Sequence, residues 1–333
     1  MSVFFDFLSQ YYKSTNIFRR YKIYYYFCFM NMKSFFICII FAALAISCGK
    51  SYDEQKRLSR AERARLHRQD SLALKIAVVP TLDCLPIYVA KERVLYDTAR
   101  LDLRLRYFTA QMDCDTAIAG RSVEGMVSDL VRTERLKREG TPLQYVSATN
   151  INWYLFTNRK ARIKKLDQLG DKMVAMTRYS ATDFLTDAAL EGVKTSSVVF
   201  RIQVNDVFVR QAMLLNNEMD AMWLAEPQAT VARLNGHASI YDSQKKGLKL
   251  GVMAFRDDAM KDKRRKAQIE LFKKAYNAAC DSLNKYGIPH YYELLNKYYK
   301  LDERYVKALP KTRFEHINKP RLKDIDAVAT DKR

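Results

Sequence analysis

Histidine, tryptophan and paired cysteines are scarce in this chain of 333 residues, and their scarcity argues against several kinds of site. The four histidines, at positions 67, 237, 290 and 316, lie far apart and fit no metal-binding spacing. None of the six cysteines forms a CxxC pair. The enzyme motifs HExxH, GxxxxGKS/T and GxSxG are also absent. We therefore predict no metal site and no cofactor, and an enzymatic function is disfavoured.

The composition is that of a folded protein, with 48% hydrophobic and 28% charged residues. The length is sufficient for two lobes of ordinary domain size. The formal net charge is +20 at pH 7. Such a charge attracts anions, nucleic acid or an acidic membrane surface, or it keeps a solvated face soluble. Because the basic residues are spread along the chain, we predict no nucleic-acid partner.

A short apolar run near the amino terminus has the pattern of a secretory signal. Residues 32–47 combine one lysine, an apolar stretch of twelve residues and small residues before Cys48. The stretch is short for a membrane-spanning helix. The residues 45–48, Ala-Ile-Ser-Cys, resemble a bacterial lipobox with Cys48 as the lipidated residue. We expect translation to start at Met30 or Met32, so that residues 1–31 are an upstream extension, and the alternative is an uncleaved amino-terminal anchor.

Residues 48–73 are highly charged and contain few apolar side chains, so they bury no core of their own. We interpret them as a tether. The spacing of Glu62 and Arg65 is compatible with a solvated helix. An arginine-rich helix lying on anionic lipid is the alternative.

From residue 172 to residue 243, short apolar segments alternate with helical patterns. The predicted strands are Met173–Met176, 198–204 and 221–224, and the predicted helices are Ala181–Leu190 and 206–216. This alternation predicts a parallel sheet with helical crossovers. Ligands bind such sheets at the carboxyl ends of the strands.

Three segments carry a resemblance to a known family. Residues 216–243 read NNEMDAMWLAEPQATVARLNGHASIYDS, with an Asp-Ala run leading into Glu-Pro. Residues 120–129 look like the counterpart of this segment in a first lobe, and residues 248–279 read as a strand followed by a long helix. Together they resemble substrate-binding proteins of ABC transporters of the sulfonate, nitrate and thiamine-precursor type, over about residues 74–325.

The resemblance implies an α/β fold of two lobes, the type II periplasmic-binding-protein-like fold, in which each lobe is a mostly parallel sheet flanked by helices. Residues 74–150 with 246–333 would form lobe 1, and residues 151–245 would form lobe 2. The implied function is capture of a small solute between the hinged lobes and its delivery to an ABC permease. The protein would be lipid-anchored in the cell envelope, at the inner or the outer membrane.

In lobe 1, the loop after the first strand touches ligand in the family. By position this implies Thr81, Asp83 and Cys84 as ligand-binding residues, while Asp83 alternatively caps the following helix. Asp129 follows a further strand and either faces the cleft or caps the helix after it.

In the family a strand crosses between the lobes near residues 148–158. Asn152 and Trp153 would then line the cleft. Trp153 and Trp223 are the two tryptophans of the chain, and they either sandwich a flat ligand group or belong to the core.

In lobe 2, the family's helix amino terminus that contacts the ligand corresponds to Ser180, Thr182 and Asp183. Simple helix capping is the alternative for these side chains. Glu226 precedes a proline, and the resemblance implies a role in the cleft or at the hinge.

Two other functions stay open at this point. Relatives that make the thiamine pyrimidine use a histidine and a CCCFC motif. This sequence lacks the CCCFC motif, so we expect that the protein is not an enzyme. A basic membrane-bound scaffold with a degenerate cleft is the other alternative. The basic balance favours an anionic or zwitterionic solute, such as a sulfonate or carboxylate, whereas the acidic candidates favour a cationic or hydrogen-bond-donating one, such as a pyrimidine. A disulfide between Cys84 and Cys114 is also possible in an oxidising compartment.

The lipobox makes a direct prediction about modification. In a bacterial host supplied with labelled palmitate, the wild-type protein should carry the label and Cys48→Ser should not, because only the thiol of Cys48 is the lipid acceptor. Cys38→Ser, within the apolar run, is the matched control and should stay labelled. Labelled Cys48→Ser protein on a gel would contradict the lipobox.

Overall fold

The computed structural model of this protein describes residues 60–329, and the chain divides into two units between Ser71 and Leu72. The described residues of the first unit belong to the helix α1 (Arg60–Leu72), within the predicted tether. Cys48 and the predicted signal segment lie outside the described residues. Between residues 60 and 329, no helix has both the length and the apolar composition needed to cross a membrane.

The second unit contains two five-stranded sheets built on the same plan. The first has the order β2-β1-β3-β10-β4 and the second the order β7-β6-β8-β5-β9. In each sheet a single strand, β10 or β5, runs antiparallel to both of its neighbours, and the others run the same way. The strands are β1 (Leu74–Val78), β2 (Leu103–Tyr107), β3 (Gly125–Asp129), β4 (Leu143–Ala148), β5 (Trp153–Thr157), β6 (Met173–Met176), β7 (Phe200–Gln203), β8 (Ala221–Ala225), β9 (Ala238–Asp242) and β10 (Gly251–Arg256).

Helices flank both sheets. Those after α1 are α2 (Leu85–Glu92), α3 (Gln111–Ala119), α4 (Leu130–Arg138), α5 (Ala181–Leu190), α6 (Val207–Leu215), α7 (Gln228–Leu234), α8 (Asp257–Lys261), α9 (Lys263–Tyr286), α10 (Tyr292–Tyr299), α11 (Glu303–Lys307) and α12 (Leu322–Ala329). The predicted α/β fold with two mostly parallel, helix-flanked sheets is therefore confirmed.

The buried strands explain why helices cover both faces of each sheet. Every residue of β1 and of β8 is buried, as expected for parallel strands between two helical layers. In β8, Met222 and Leu224 belong to one apolar cluster and Trp223 to another. Successive side chains of a strand point to opposite faces, so the two clusters lie on the two faces of the second sheet.

The chain crosses between the sheets twice. It leaves the first sheet after Ala148 and enters the second at Trp153, and it returns between Asp242 and Gly251. The two crossings contact each other, because the backbone N–H of Trp153 donates to Ser243 Oγ at 3.1 Å. We call residues 149–152 and 243–250 the crossing segments.

Gly251 is required where the return crossing enters the first sheet. A Cβ atom there would lie 2.2 Å from both Thr149 Oγ1 and Ile151 Cγ2. The absent side chain lets the first crossing segment approach closely enough for the N–H of Thr149 to donate to the Gly251 carbonyl at 2.8 Å.

Several predicted boundaries differ from the observed ones. The strand expected over residues 198–204 covers only Phe200–Gln203, on the edge of its sheet. A carboxyl-terminal helix, α12, was not predicted and buries Val328 against the cluster that contains Trp223. The prediction of a disulfide between Cys84 and Cys114 is wrong, because both are free buried thiols.

The long helix α9 supplies a test of the packing. Phe272 is fully buried, and its ring centroid lies 6.0 Å from that of Phe255. Phe272→Ala should lower the free energy of unfolding by about 3–5 kcal/mol, because it removes buried contacts and leaves a cavity. Urea unfolding measures this loss, with Phe200→Ala, a 49% exposed position, as the control. Equal losses in the two variants would contradict the packing described.

Candidate functional site

A small cavity lies where the carboxyl ends of strands from both sheets meet. It encloses about 60 Å³, several times the volume of about 10–15 Å³ that one water molecule requires. Its lining combines apolar and polar side chains from both sheets: Val79, Thr81, Asp83, Gln111, Val127, Ser128, Asp129, Ile151, Trp153, Thr177, Ser180, Thr182, Val207, Arg210, Leu224, Ala225 and Gln228.

The sheets are joined around this cavity by backbone and side-chain hydrogen bonds. The N–H of Leu82 donates to the Glu226 carbonyl at 2.8 Å, and Gln228 Nε2 donates to the Pro80 carbonyl at 3.0 Å. On the other side, the N–H of Val207 donates to the Thr109 carbonyl at 3.0 Å. The cavity is therefore held between the two lobes in a closed arrangement.

Asp83 is the acidic group that the loop after β1 places in the cavity. Its carboxylate accepts a hydrogen bond from Thr149 Oγ1 at 2.7 Å, so it is tied to a crossing segment. Its other oxygen, Oδ1, is buried and has no partner among the described residues. Burial raises the pKa of Asp83, and nearby hydroxyl and N–H groups partly offset this effect. Asp83 caps no helix here, since both neighbouring helix starts lack a side-chain cap.

Ser128 and Asp129 reach the cavity from the end of β3. Asp129 caps α4, accepting a hydrogen bond from the N–H of Arg132 at 2.9 Å. The N–H of Ala181, at the start of α5 in the other lobe, favours the ionised form of this carboxyl and partly offsets the rise in its pKa. Asp129 thus both caps its helix and lines the cavity. Ser128 is 6% exposed, and its hydroxyl has no partner in the part of the chain that the structure describes.

The start of α5 brings the hydroxyl groups of Ser180 and Thr182 to the cavity. Ser180 caps the helix by accepting from the N–H of Thr182, and its own hydroxyl donates to the Thr177 carbonyl at 2.6 Å. Thr182 Oγ1 accepts from the N–H of Thr177 at 3.0 Å. The hydroxyls therefore satisfy the turn and the helix end while they line the cavity.

Arg210 is the basic group of the cavity. It lies on α6, three residues after the buried Val207 and four before the buried Leu214, on the same face of the helix. Its Nη1 donates to the Trp223 carbonyl at 3.3 Å, and its Nε is buried without a hydrogen-bond partner in residues 60–329. Burial lowers the pKa of Arg210 to about 10, so the guanidinium stays charged at neutral pH.

Six of the predicted site residues line the cavity: Thr81, Asp83, Asp129, Trp153, Ser180 and Thr182. The others lie elsewhere. Trp223 is fully buried in the core of the second lobe, where Nε1 donates to Thr186 Oγ1 at 2.8 Å. Because Trp223 and Leu224 point to opposite faces of β8, only Leu224 reaches the cavity. Of the two alternatives for the tryptophans, the core position therefore holds for Trp223, and the two rings do not form a sandwich.

Asp183 and Cys84 do not line the cavity, and their side chains make contacts in neighbouring parts of their own lobes. Asp183 accepts from the N–H of Tyr179 at 3.0 Å and pairs with Arg201 at 2.9 Å. Cys84 starts α2 inside the core of the first lobe, with its Sγ atom 3.7 Å from Thr81 Oγ1.

Asn152 and Glu226 lie beside a second cavity of about 280 Å³, which shares Asp83 with the first. Asn152 Oδ1 accepts a hydrogen bond from the Ser243 hydroxyl, so it joins the two crossing segments. Glu226 accepts from the hydroxyl of Thr230 at 2.7 Å and pairs with Arg233. Its position between the start of α7 and the loop after β1 agrees with the structural role that the sequence left open.

Sequence reasoning missed five polar residues of the cavity: Gln111, Ser128, Thr177, Arg210 and Gln228. Arg210 had a recognisable signal. A charged residue on the buried stripe of an amphipathic helix is out of place unless it has a partner. Gln228 had no such signal, because its contact with Pro80 joins positions 148 residues apart. Within the described chain, no group of three or more histidine, cysteine or acidic residues is arranged to hold a metal ion.

No protein-family model matches this chain, and no curated protein matches it. Solved structures are similar to it. The alkanesulfonate-binding protein SsuA from Xanthomonas axonopodis pv. citri, bound to MOPS, has a TM-score of 0.63 and 15% identity, covering 73% of this chain and 86% of that one. The periplasmic aliphatic sulphonate binding protein SsuA from Escherichia coli has a TM-score of 0.59 and 18% identity, covering 74% and 86%.

The periplasmic nitrate-binding protein NrtA from Synechocystis PCC 6803 has a TM-score of 0.58 and 15% identity, covering 70% of this chain and 68% of that one. At these identities the similarity shows the fold. The chain therefore has the two-lobed, periplasmic-binding-protein-like fold that the sequence predicted.

The buried carboxyl of Asp129 makes stability depend on pH. Burial raises the pKa of Asp129 to about 6 from its usual 3.8, against the opposing effect of Arg132. The folded state therefore binds this proton more tightly than the unfolded state, and its contribution is lost as pH rises through 6. Between pH 4 and pH 7.5, wild-type protein should lose up to about 3 kcal/mol relative to Asp129→Asn.

Urea unfolding of both proteins at the two pH values measures this difference. Asp167→Asn, at an exposed position, is the control. A wild-type protein that gains stability over Asp129→Asn as the pH rises would contradict the assignment.

Proposed function

We propose that this protein binds a small solute between its two lobes and delivers it to an ABC importer. The observation that carries the proposal is the cavity between the lobes, in which Asp83 Oδ1, Ser128 Oγ and Arg210 Nε have no hydrogen-bond partners among the described residues. Leaving such groups buried and unpaired costs free energy. A solute that pairs with them favours the closed arrangement over an open one.

The mechanism we propose is closure of the lobes about the crossing segments, without covalent chemistry. Two contacting chain crossings suit a hinge, because few backbone angles need to change for the lobes to separate. Opening would break contacts between the lobes, such as the hydrogen bonds from Leu82 to Glu226 and from Gln228 to Pro80. Bound solute would shift the population towards the closed form by its contacts with both lobes.

The similar structures support transport as the purpose of binding. Two are named as sulfonate-binding proteins and one as a nitrate-binding protein. For this chain, residues 74–150 with 246–333 would act as lobe 1 and residues 151–245 as lobe 2. A lipid at Cys48 would hold the protein at the membrane, within reach of a permease.

The proposal predicts that an extract containing the natural solute raises the melting temperature of the protein. The small-molecule fraction of a bacterial extract should raise the melting temperature of the full chain by about 5–10 °C if it holds the solute at roughly a hundred times Kd. Native mass spectrometry of the same mixture would give the mass of the bound compound.

Arg210→Met should lose this shift, because it removes the charged group of the cavity and keeps an apolar side chain of similar length. Arg178→Met, at an exposed position, is the matched control and should keep the shift. A flat response of well-folded wild-type protein to extracts and pure solutes would contradict capture and favour the membrane-bound scaffold.

A further inference from the structure

The cavity presents unpaired groups of both charge signs. On the acidic side, Asp83 is 4% exposed and its Oδ1 has no partner in the described chain. On the basic side is Arg210, whose Nε is likewise unpaired. Ser128 adds a buried hydroxyl that can donate or accept. A solute that satisfies all three must carry both a hydrogen-bond acceptor and a donor.

A purely anionic solute fits this lining poorly. Two carboxyl groups, those of Asp83 and Asp129, face the same cavity. The amino terminus of α5, which is otherwise suited to an anion, is already used by the protein. The N–H of Thr182 goes to Ser180 Oγ, and the N–H of Asp183 goes to the Ser180 carbonyl.

A purely cationic solute fits equally poorly, because it would lie beside the guanidinium of Arg210. The nearby Asp206 attracts Arg210 through space, but both of its oxygens already accept hydrogen bonds. Oδ1 accepts from the N–H of Phe208 at 2.8 Å, and Oδ2 accepts from the Thr109 hydroxyl. Arg210 Nε is thus left to bind an acceptor that residues 60–329 do not supply.

We infer that the solute is a small zwitterion, with a carboxylate or sulfonate that binds Arg210 and Ser128 and a protonated amine that binds Asp83. This inference rests on the proposed function and specifies the class of solute. Each ionic group of such a solute meets an opposite charge, so neither the Asp83 carboxylate nor the Arg210 guanidinium is left without a charged partner. The cavity of about 60 Å³ restricts the solute to a few heavy atoms.

The test is a comparison of matched compounds by isothermal titration calorimetry with the full chain. The zwitterions are glycine, β-alanine, γ-aminobutyrate and taurine. The anions that lack the amine are acetate, propionate, butyrate and ethanesulfonate, and the cations that lack the acid are methylamine, ethylamine and propylamine. At least one zwitterion should bind ten or more times more tightly than both its anionic and its cationic analogue.

The carboxylate and sulfonate members of the panel separate the two acidic groups that Arg210 can bind. An anionic or cationic analogue that binds within threefold of its zwitterion would overturn the inference, and so would a panel in which no zwitterion binds.

Two variants test which side chain binds the amine of the solute and which binds its acidic group. Asp83→Asn should weaken the zwitterion at least tenfold and change the anionic analogue less than threefold, because it removes the partner of the amine alone. Arg210→Met should weaken the zwitterion and its anionic analogue alike. If Asp83→Asn binds neither the zwitterion nor its anionic analogue, and its circular dichroism spectrum is unchanged, Asp83 is not the specific partner of the amine. If either variant fails to fold, the comparison of compounds with the wild-type protein still tests the inferred class of solute.

The outcome also separates this inference from the proposed function. If the extract raises the melting temperature and no zwitterion of the panel binds, the solute class is wrong while solute capture stands. If neither the extract nor any compound has an effect, the proposed function itself fails.

Discussion

A carboxylate oxygen, a guanidinium nitrogen and a hydroxyl lie in one cavity between the lobes without hydrogen-bond partners among residues 60–329, and the proposed function depends on these three groups. The groups belong to Asp83, Arg210 and Ser128. Since buried polar groups in folded proteins are nearly always paired, the closed arrangement of the lobes is incomplete by itself. An incomplete closed state that a solute completes is the physical requirement for a binding protein.

The fold explains how these groups come together. Each sheet places the carboxyl ends of its parallel strands at the cavity, so loops and helix starts distant in sequence meet there. The hydrogen bond from Thr149 to Asp83 connects the cavity directly to a crossing segment. Asp129 lines the cavity and caps α4 through the N–H of Arg132. In the proposed mechanism, these contacts couple the occupancy of the cavity to the separation of the lobes.

Local patterns predicted most elements well: the bounds of Ala181–Leu190 and Met173–Met176 agree with the structure. The site was predicted less well, for two physical reasons. A strand buried on both faces shows no alternation, so the sequence did not tell that Trp223 faces the core and Leu224 the cavity. Arg210 reaches the cavity through tertiary packing of its helix, which depends on residues far away in the chain.

The measurement that tests the central claim most directly is a crystal structure of the full chain grown with the small-molecule fraction of a bacterial extract. We expect continuous density for one compound in the cavity, with an acceptor atom within hydrogen-bond distance of Arg210 Nε and a donor atom within that distance of Asp83 Oδ1. Well-ordered closed lobes with only water between these two atoms, or a compound bound elsewhere, would contradict the account.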